Sequence, residues 1–203
     1  MVDEVLLRAY DEVLLWEDCR DKASRLLSSL ANLVEQLNTV HSCMSQPGKL
    51  GVLCQHSQAL YCLQGKLVEA MERALVSVQA ERCKMLEIVC LLKKCSREAE
   101  TKLKHITGRC SVESVCCRTS QTFSPAEQCG WLRLIHAAYT ADTEDKALAV
   151  DTVQYTVHGV EEALTVWARD PVESSEAVNL LRYSIGAREQ FRPDLAAKTQ
   201  RTI

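Results

Sequence analysis

The sequence predicts an all-α fold: an elongated antiparallel helical bundle, or coiled-coil hairpin, followed by a C-terminal helical pair. Of its 203 residues, 47% are hydrophobic, and only 7 are glycine and 4 are proline, so residues that break helices are rare. Aromatic residues make up 5%, which leaves a core of Leu, Val and Ala and suits helices better than a β-sandwich. Apolar residues also recur at spacings of three and four over long stretches, which is the period of a helix that buries one face.

The longest such stretch covers residues 60–106, with no proline and a single glycine. We expect it to belong to a second helix over residues 49–107 that ends before Gly108 as a C-cap. Glu81 and Lys102 interrupt its apolar seam. One helix cannot bury such a stripe alone, so other helices of the chain or of a partner must cover it. The seam comprises Leu67, Met71, Ala74, Val78, Met85, Ile88, Leu92, Cys95, Ala99 and Ile106.

The apolar residues within 2–41 recur at the same spacing, interrupted only by Arg20, and this pattern predicts a first helix. The run Ser-Gln-Pro-Gly at 45–48 breaks the pattern and would fold the second helix back antiparallel to the first. Residues 1–107 are therefore predicted to form an antiparallel helical hairpin. Its first seam comprises Val2, Leu6, Ala9, Val13, Trp16, Ala23, Leu27, Leu30, Val34 and Leu37.

The remaining chain divides into a linker and a helical C-terminal part. Residues 108–123 are rich in Ser and Thr and poorly periodic, which predicts a linker. C-terminal helices that pack on the hairpin are expected over 124–192, and a flexible tail over 193–203. Whether 124–168 forms one helix or two stays open: the polar stretch 140–145 is a kink or an exposed turn, and 153–157 alternates like an isolated strand.

Two tetrapeptides mark helix starts. Ser-Pro-Ala-Glu at 124–127 places Ser at the N-cap, Pro at the first helical position and Glu where it closes a capping box. The Ser-Pro pair also matches a minimal site for a proline-directed kinase, but a cap accounts for all four residues. Asp-Pro-Val-Glu at 170–173 repeats the pattern, and the helix that it begins is expected to end at Gly186 and Pro193.

The eleven cysteines favour neither a disulfide framework nor a metal site. Their number is odd, no C-x-x-C occurs, and the acidic start Met-Val-Asp-Glu is unlike a signal peptide. We expect them to act as small apolar core residues in a reducing compartment. No apolar run is long enough to cross a membrane, so the sequence predicts a soluble protein of the nucleus or the cytoplasm.

Known catalytic motifs are missing from the sequence. It contains no P-loop, no G-x-G-x-x-G, no G-x-S-x-G and no H-E-x-x-H. The adjacent acids Glu161 and Glu162 would point in different directions on a helix, so they make a poor acid/base pair. We therefore expect no enzymatic activity, no catalytic residue, no metal, no cofactor and no small-molecule substrate.

Charge is unevenly distributed along the chain. The net charge of −3 disfavours a general nucleic-acid binder, yet residues 41–110 carry 11 basic and 6 acidic side chains, against 4 and 8 in residues 1–40. The basic residues form either a patch for an acidic partner or nucleic acid, or a solvated face near the C-terminal helix dipole, which is the favoured interpretation. They are Lys93, Lys94, Arg97, Lys102, Lys104 and Arg109.

Residues near both ends carry a family resemblance. Leu14, Trp16, Glu17 and Asp21, followed by Leu30-Ala31-Asn32-Leu33, resemble the first helix of the cyclin-dependent kinase 2-interacting protein family. A second set of residues is similar to the closing segment of that family: Lys146, Trp167, Pro171, Val172-Glu173-Ser174 and Leu181. This chain is one residue shorter between Trp167 and Val172. The run from Leu26 to Leu33 also resembles a second small helical protein, a ribosome maturation factor that acts beside the first. The resemblance covers about a third of the chain.

This resemblance implies a non-enzymatic nuclear adaptor. The family is associated with cyclin-dependent kinase, DNA replication and checkpoint signalling, and with a chromatin-associated AAA ATPase assembly that matures the large ribosomal subunit. The implied partners are AAA ATPase subunits, a second small helical subunit and cyclin-dependent kinase, and the ATP chemistry belongs to those partners. The candidate partner-binding residues are Trp16, Glu17, Asp21, Asn32, Trp167, Pro171 and Glu173.

Several alternatives stay open at the level of the sequence. Trp16 is either a partner-binding anchor or a core tryptophan whose N–H is hydrogen-bonded. The chain as a whole is either the adaptor described above or a structural coiled-coil subunit of a cytoskeletal or kinetochore-type complex, because both explain the seam. A nucleic-acid binder that uses residues 93–109 is a third, disfavoured class.

Overall fold

The computed structural model describes residues 3–45, 57–108, 115–118, 123–153, 155–171 and 175–191. Five long helices lie within these ranges, with no strand among them, so the all-α prediction is confirmed. Nor does any helix in these ranges combine the length and the apolar character that crossing a bilayer requires. The helices are α1 (Asp3–Ser45), α2 (Ser57–Thr107), α3 (Pro125–Asp151), α4 (Val157–Trp167) and α5 (Ser175–Phe191).

The chain forms two compact units, and helices α1, α2 and α3 each contribute to both. The first unit consists of Met1–Trp16, Leu86–Thr143 and Asp170–Ile203. The second unit consists of Glu17–Met85 and Glu144–Arg169. The division of the chain at 107, 123 and 192 stays a prediction.

The core of the first unit is built from α1, α2, α3 and α5. Each helix contributes apolar side chains at spacings of three and four, so each buries one stripe. Burying these stripes against one another is what makes the individual helices stable in water. Among the buried residues are Leu6, Val13, Trp16, Ile88, Leu92, Ala99, Leu132, Ile135, Tyr139, Val178 and Leu181.

The core of the second unit is built from the remainder of α1, α2 and α3 together with α4. Glu81, the acidic interruption of the α2 seam, is buried here and accepts a hydrogen bond from Lys84 Nζ at 2.6 Å. The ion pair reduces the cost of burying a carboxylate. The apolar residues are Ala23, Leu27, Leu30, Val34, Leu67, Met71, Val78, Met85, Val150, Val160, Ala163 and Trp167.

Both predicted seams are confirmed over the described residues. The seam positions of α1 and α2 are buried, except that Leu37, Ala74 and Ile106 are half-buried. Helix α2 ends at Thr107 as expected, and the Gly108 N–H donates to the Lys104 carbonyl at 3.0 Å. Of the predicted break at 45–48, Ser45 is the last residue of α1, and the rest lies outside the described residues.

The capping box at the start of α3 is also confirmed. The Glu127 N–H donates to Ser124 Oγ at 3.2 Å, and the Ser124 N–H donates to Glu127 Oε2 at 3.0 Å. Ser124 is buried, so its hydroxyl is inaccessible to a kinase while the cap is intact. The alternative interpretation as a phosphorylation site therefore requires α3 to open at its N-terminus.

The structure separates residues 124–168 into two helices and corrects several details. The polar stretch 140–145 is not a turn, since α3 continues through it to Asp151. The strand-like run falls at the break instead, where the Thr156 hydroxyl accepts from the Gly159 N–H and starts α4. Pro171 lies outside any helix, so it does not occupy the first helical position that we predicted. Gly186 lies inside α5 rather than at its end.

Two further predictions fall partly or wholly on undescribed residues. Within the predicted linker, Val115 is buried and helical, and Phe123 packs edge-on against Trp131 with ring centroids 4.8 Å apart. Pro193 and the predicted tail at 193–203 lie outside the described residues.

Candidate interaction surfaces

Trp16 lies in the core of the first unit, with no exposed surface. Its Nε1–H donates to Thr143 Oγ1 at 2.9 Å, and the Thr143 hydroxyl donates to the Tyr139 carbonyl at 2.7 Å. The Tyr139 ring packs edge-on against the indole at 4.8 Å. Of the two interpretations of Trp16, the core tryptophan with a bonded N–H is therefore the one that matches the structure, because a fully buried ring offers no surface to a partner.

Trp167 is likewise fully buried, in the core of the second unit. Its Nε1–H donates to the Lys146 carbonyl at 3.2 Å, and Lys146 Nζ donates to the Arg169 carbonyl just beyond α4 at 3.0 Å. Lys146 and Trp167 both belong to the C-terminal resemblance, and the structure brings them together. Their contact joins the last turns of α3 to the end of α4, which is a structural role.

The other candidate contact residues have mixed exposure. Asp21 and Asn32 are exposed, and Asp21 Oδ1 pairs with Arg20 at 3.0 Å. Glu17 and Pro171 are half-buried. Glu173 lies outside the described residues. Asp21 and Asn32 thus remain available for contact, and their role as partner-binding residues stays a prediction.

Asp21 and Asn32 belong to a regular row that we call the outer stripe of α1. It repeats at spacings of three and four on the face opposite the buried seam, and every member is exposed. Two exposed leucines, Leu7 and Leu14, stand among acidic residues in this row. The outer stripe comprises Glu4, Leu7, Asp11 and Leu14 in the first unit and Asp18, Asp21, Arg25, Ser28 and Asn32 in the second.

Sequence reasoning missed Leu7 as a surface residue and named Leu14 only within the resemblance. The sequence did indicate that these leucines face outward. Each lies two positions before a core residue, and residues two apart on a helix point to different faces. A hydrophobic residue on a solvated face is common singly. Two leucines one heptad apart in an acidic row are a candidate docking surface.

A second surface is a groove of about 600 Å³ between α2 and α3 in the first unit, which we call the basic groove. Three of its lining side chains are permanent cations, whereas Glu100 is the one carboxylate. Arg133 Nε lies 3.5 Å from Glu100 Oε1. The lining residues are Lys93, Ser96, Arg97, Glu100, Gly130, Arg133, Leu134, His136 and Ala137.

The side chains that line the basic groove carry a net positive charge. Neither Lys93 nor Arg97 forms an ion pair with any described residue. The pKa of His136 is lowered from its usual value, first by burial and then by the positive charges of Lys93 and Arg97. The charges of Lys93 and Arg97 thus add to burial in disfavouring the protonated form of His136.

A third surface is a groove of about 560 Å³ in the second unit, between the end of α3 and α4. Its walls combine small residues such as Ala149 and Gly159 with the exposed Leu148. His158 Nε2 lies 3.2 Å from Glu162 Oε1 on its rim. The lining mixes both signs of charge with apolar surface, so it indicates no particular ligand.

Nothing in the described ranges resembles a metal centre, since no three His, Cys, Asp or Glu side chains there are placed to hold an ion. The nine described cysteines are free thiols. Burial raises the pKa of Cys19 to about 11. It also raises the pKa of Cys95 and of Cys129, as expected for small core residues. The prediction that cysteines fill the core is wrong for five exposed ones: Cys62, Cys83, Cys90, Cys116 and Cys117.

In a comparison with protein families, residues 6–181 match the ribosome biogenesis protein C1orf109-like family. The chain belongs to this family. A search of curated proteins found no match. The match covers α2, α3 and α4 in full, α1 from Leu6 onward and the first turns of α5, and so includes the outer stripe from Leu7 onward and the whole basic groove.

Membership in the C1orf109-like family assigns the chain to ribosome biogenesis. This agrees with the ribosome-maturation part of the resemblance, which the run Leu26–Leu33 carried. The match names a ribosome biogenesis family, and not the cyclin-dependent kinase 2-interacting protein family to which the ends of the chain are similar. Kinase, replication and checkpoint roles therefore have no support from the match.

Proposed function

We propose that this protein is a non-enzymatic nuclear adaptor in ribosome biogenesis, a helical subunit that docks on an AAA ATPase and on a second small helical subunit. Its work in this proposal is to bring macromolecules together, while the ATPase supplies the energy. Family membership supports the ribosome biogenesis part. The resemblance at the two ends of the chain supports the ATPase partner, and it extends the proposal to cyclin-dependent kinase binding, DNA replication and checkpoint signalling.

The observation that carries the adaptor proposal is the outer stripe of α1. Leu7 and Leu14 are 46% and 41% exposed, although every residue of the neighbouring seam that is described near them is buried. Apolar side chains in a helical row, flanked by charged residues, suit the pattern of a protein interface with an apolar centre and a polar rim. The acidic flanks call for a partner groove with basic edges.

Substituting Leu14 by Glu tests this docking surface. Leu14→Glu should lower co-purification of the AAA ATPase from nuclear extracts about tenfold, the effect of losing a contact worth about 1.4 kcal/mol. Since Leu14 is exposed, the helix content by circular dichroism should not change. The binding loss should be the same for the second helical subunit if the two partners share the surface.

Leu63→Glu is the matched control. Leu63 lies on α2 and is 44% exposed, so the substitution places the same charge at a leucine of similar exposure. It should leave co-purification unchanged. Equal retention of the ATPase by both variants would refute docking through the outer stripe, and recovery of tubulin-associated helical subunits instead would favour the cytoskeletal alternative.

A further inference from the structure

We propose that the basic groove binds the phosphate backbone of single-stranded RNA. The proposal deepens the ribosome biogenesis role, and it rests on that role only for the choice of RNA among polyanions. The positive charge of the groove and the arrangement of its side chains come from the structure alone.

Charge is the first argument. Lys93, Arg97 and Arg133 face one groove, and Glu100, the single lining carboxylate, offsets only one of them. Lys93 and Arg97 are exposed and make no ion pair with a described residue, so binding an anion would not require breaking an ion pair within the described part of the chain. Unpaired Lys and Arg side chains in a concave surface are the usual electrostatic footprint of a nucleic-acid contact.

The spacing of the cations is the second argument. Lys93 and Arg97 are four residues apart on α2, so they stand on one face with about 5–6 Å between their Cβ atoms. Arg133 and His136 are three residues apart on α3 and form the facing wall. A strand lying along the groove can therefore meet cations on both sides, and the two cations of one wall can contact successive phosphates.

The groove also offers a surface for an unstacked base. Leu134 and His136 both line the groove; Leu134 is 56% exposed and His136 is half-buried. The lowered pKa of His136 keeps its ring neutral near pH 7, so that the flat face can stack on a base. Proteins recognise single-stranded RNA largely by such stacking combined with phosphate contacts.

The net charge of −3 does not conflict with this site. The acidic excess of the sequence lies in residues 1–40 and 111–203, whereas the groove draws its cations from one turn of α2 and one of α3. Three cations support weak, salt-sensitive binding of a short segment. This differs from the broad basic surface of a general nucleic-acid binder.

Fluorescence anisotropy of the full chain with a fluorescein-labelled oligouridylate of about 12 nucleotides tests the site. If three phosphates are neutralised, the affinity should fall about 20-fold between about 50 and about 200 mM salt. Lys93→Glu/Arg97→Glu should weaken binding at least tenfold and flatten the salt dependence. The matched control Lys66→Glu/Arg73→Glu, two exposed cations of α2 in the second unit, should bind within about twofold of wild type.

Each other outcome overturns the proposal. Binding that is absent at low salt, or that both double variants reduce equally, means that the groove is not an RNA site. Preference for a poly-glutamate peptide over RNA means that it docks an acidic protein segment instead. The ATPase test is independent: Lys93→Glu/Arg97→Glu should still co-purify the ATPase, and Leu14→Glu should still bind RNA, so failure of one proposal is distinguishable from failure of the other.

Discussion

Each of the two units holds one fully buried tryptophan whose N–H is hydrogen-bonded, but the two acceptors differ. In the first unit the Trp16 indole donates to a side-chain hydroxyl, that of Thr143. In the second unit the Trp167 indole donates to a backbone carbonyl, that of Lys146. Both bonds satisfy a polar group that burial would otherwise leave without water.

The difference determines how each unit responds to mutation. A side-chain acceptor can be removed by one substitution, so the arrangement around Trp16 depends on the identity of residue 143. A backbone acceptor persists whatever side chain stands at position 146, so the Trp167 bond depends only on α3 and α4 keeping their positions. The first unit should therefore be the more sensitive to single polar substitutions near its tryptophan.

Removing the indoles should have the largest effect. Trp16→Ala and Trp167→Ala should each lower the free energy of unfolding by about 3–5 kcal/mol, because both rings are fully buried. Trp16→Ala should cost more, since it also removes the edge-on Tyr139 contact, worth about 0.5–1.5 kcal/mol. Urea unfolding followed by circular dichroism measures both values.

Tyr61→Ala provides the control for these truncations. Tyr61 is 63% exposed, so its loss should change the unfolding free energy by less than about 0.5 kcal/mol. A tryptophan variant that is no less stable than this control would show that the ring lies on the surface, and would restore it as a candidate partner-binding residue.

Removing only the hydroxyl acceptor should have an intermediate effect. Thr143→Val keeps the shape of the side chain but deletes the group that accepts from Trp16, and should cost about 1–3 kcal/mol by urea unfolding. Thr140→Val is matched to it, because Thr140 lies on the same helix and its hydroxyl likewise donates to the carbonyl four residues earlier, that of His136. If the two threonine variants are equally stable, the Trp16 bond contributes nothing specific.

The smallest effect should come from the helix caps, which again differ between the units. Arg118 and the Ser124 cap hold the pKa of Glu127 at about 2 in the first unit. A carboxylate with a lowered pKa stabilises the fold above its ordinary pKa of 4.5 and loses that contribution as the pH falls towards 2. Glu127→Gln should therefore destabilise the protein at pH 7 and have a much smaller effect near pH 2, as measured by thermal unfolding.

The cap of α4 in the second unit provides the pH-independent comparison. Thr156 caps α4 with a neutral hydroxyl, so Thr156→Ala should lower stability by about 0.5–2 kcal/mol and by the same amount at both pH values. A Glu127→Gln effect that persists unchanged at low pH would contradict the capping role of the ionised carboxylate.

The two candidate surfaces differ in how far the sequence alone could have predicted them. The outer stripe of α1 follows the same period as the seam, so its members can be read from one helix. The basic groove needs Lys93 and Arg97 of α2 beside Arg133 and His136 of α3, about 40 positions later. The basic residues of α2 were noticed, but a single helix gives no indication of a concave site, and the net charge of the chain argued against nucleic acid.

What the sequence determined by itself is local: the helical class, the two seams, the end of α2 at Thr107 and the capping box at Ser124. These depend on residues within about four positions of one another, whose helical geometry is fixed by backbone hydrogen bonding. What only the tertiary structure decided is which side chains meet across the fold. The acceptor of Trp16 lies 127 positions away, and no periodicity within a helix specifies a contact between helices so distant in the chain.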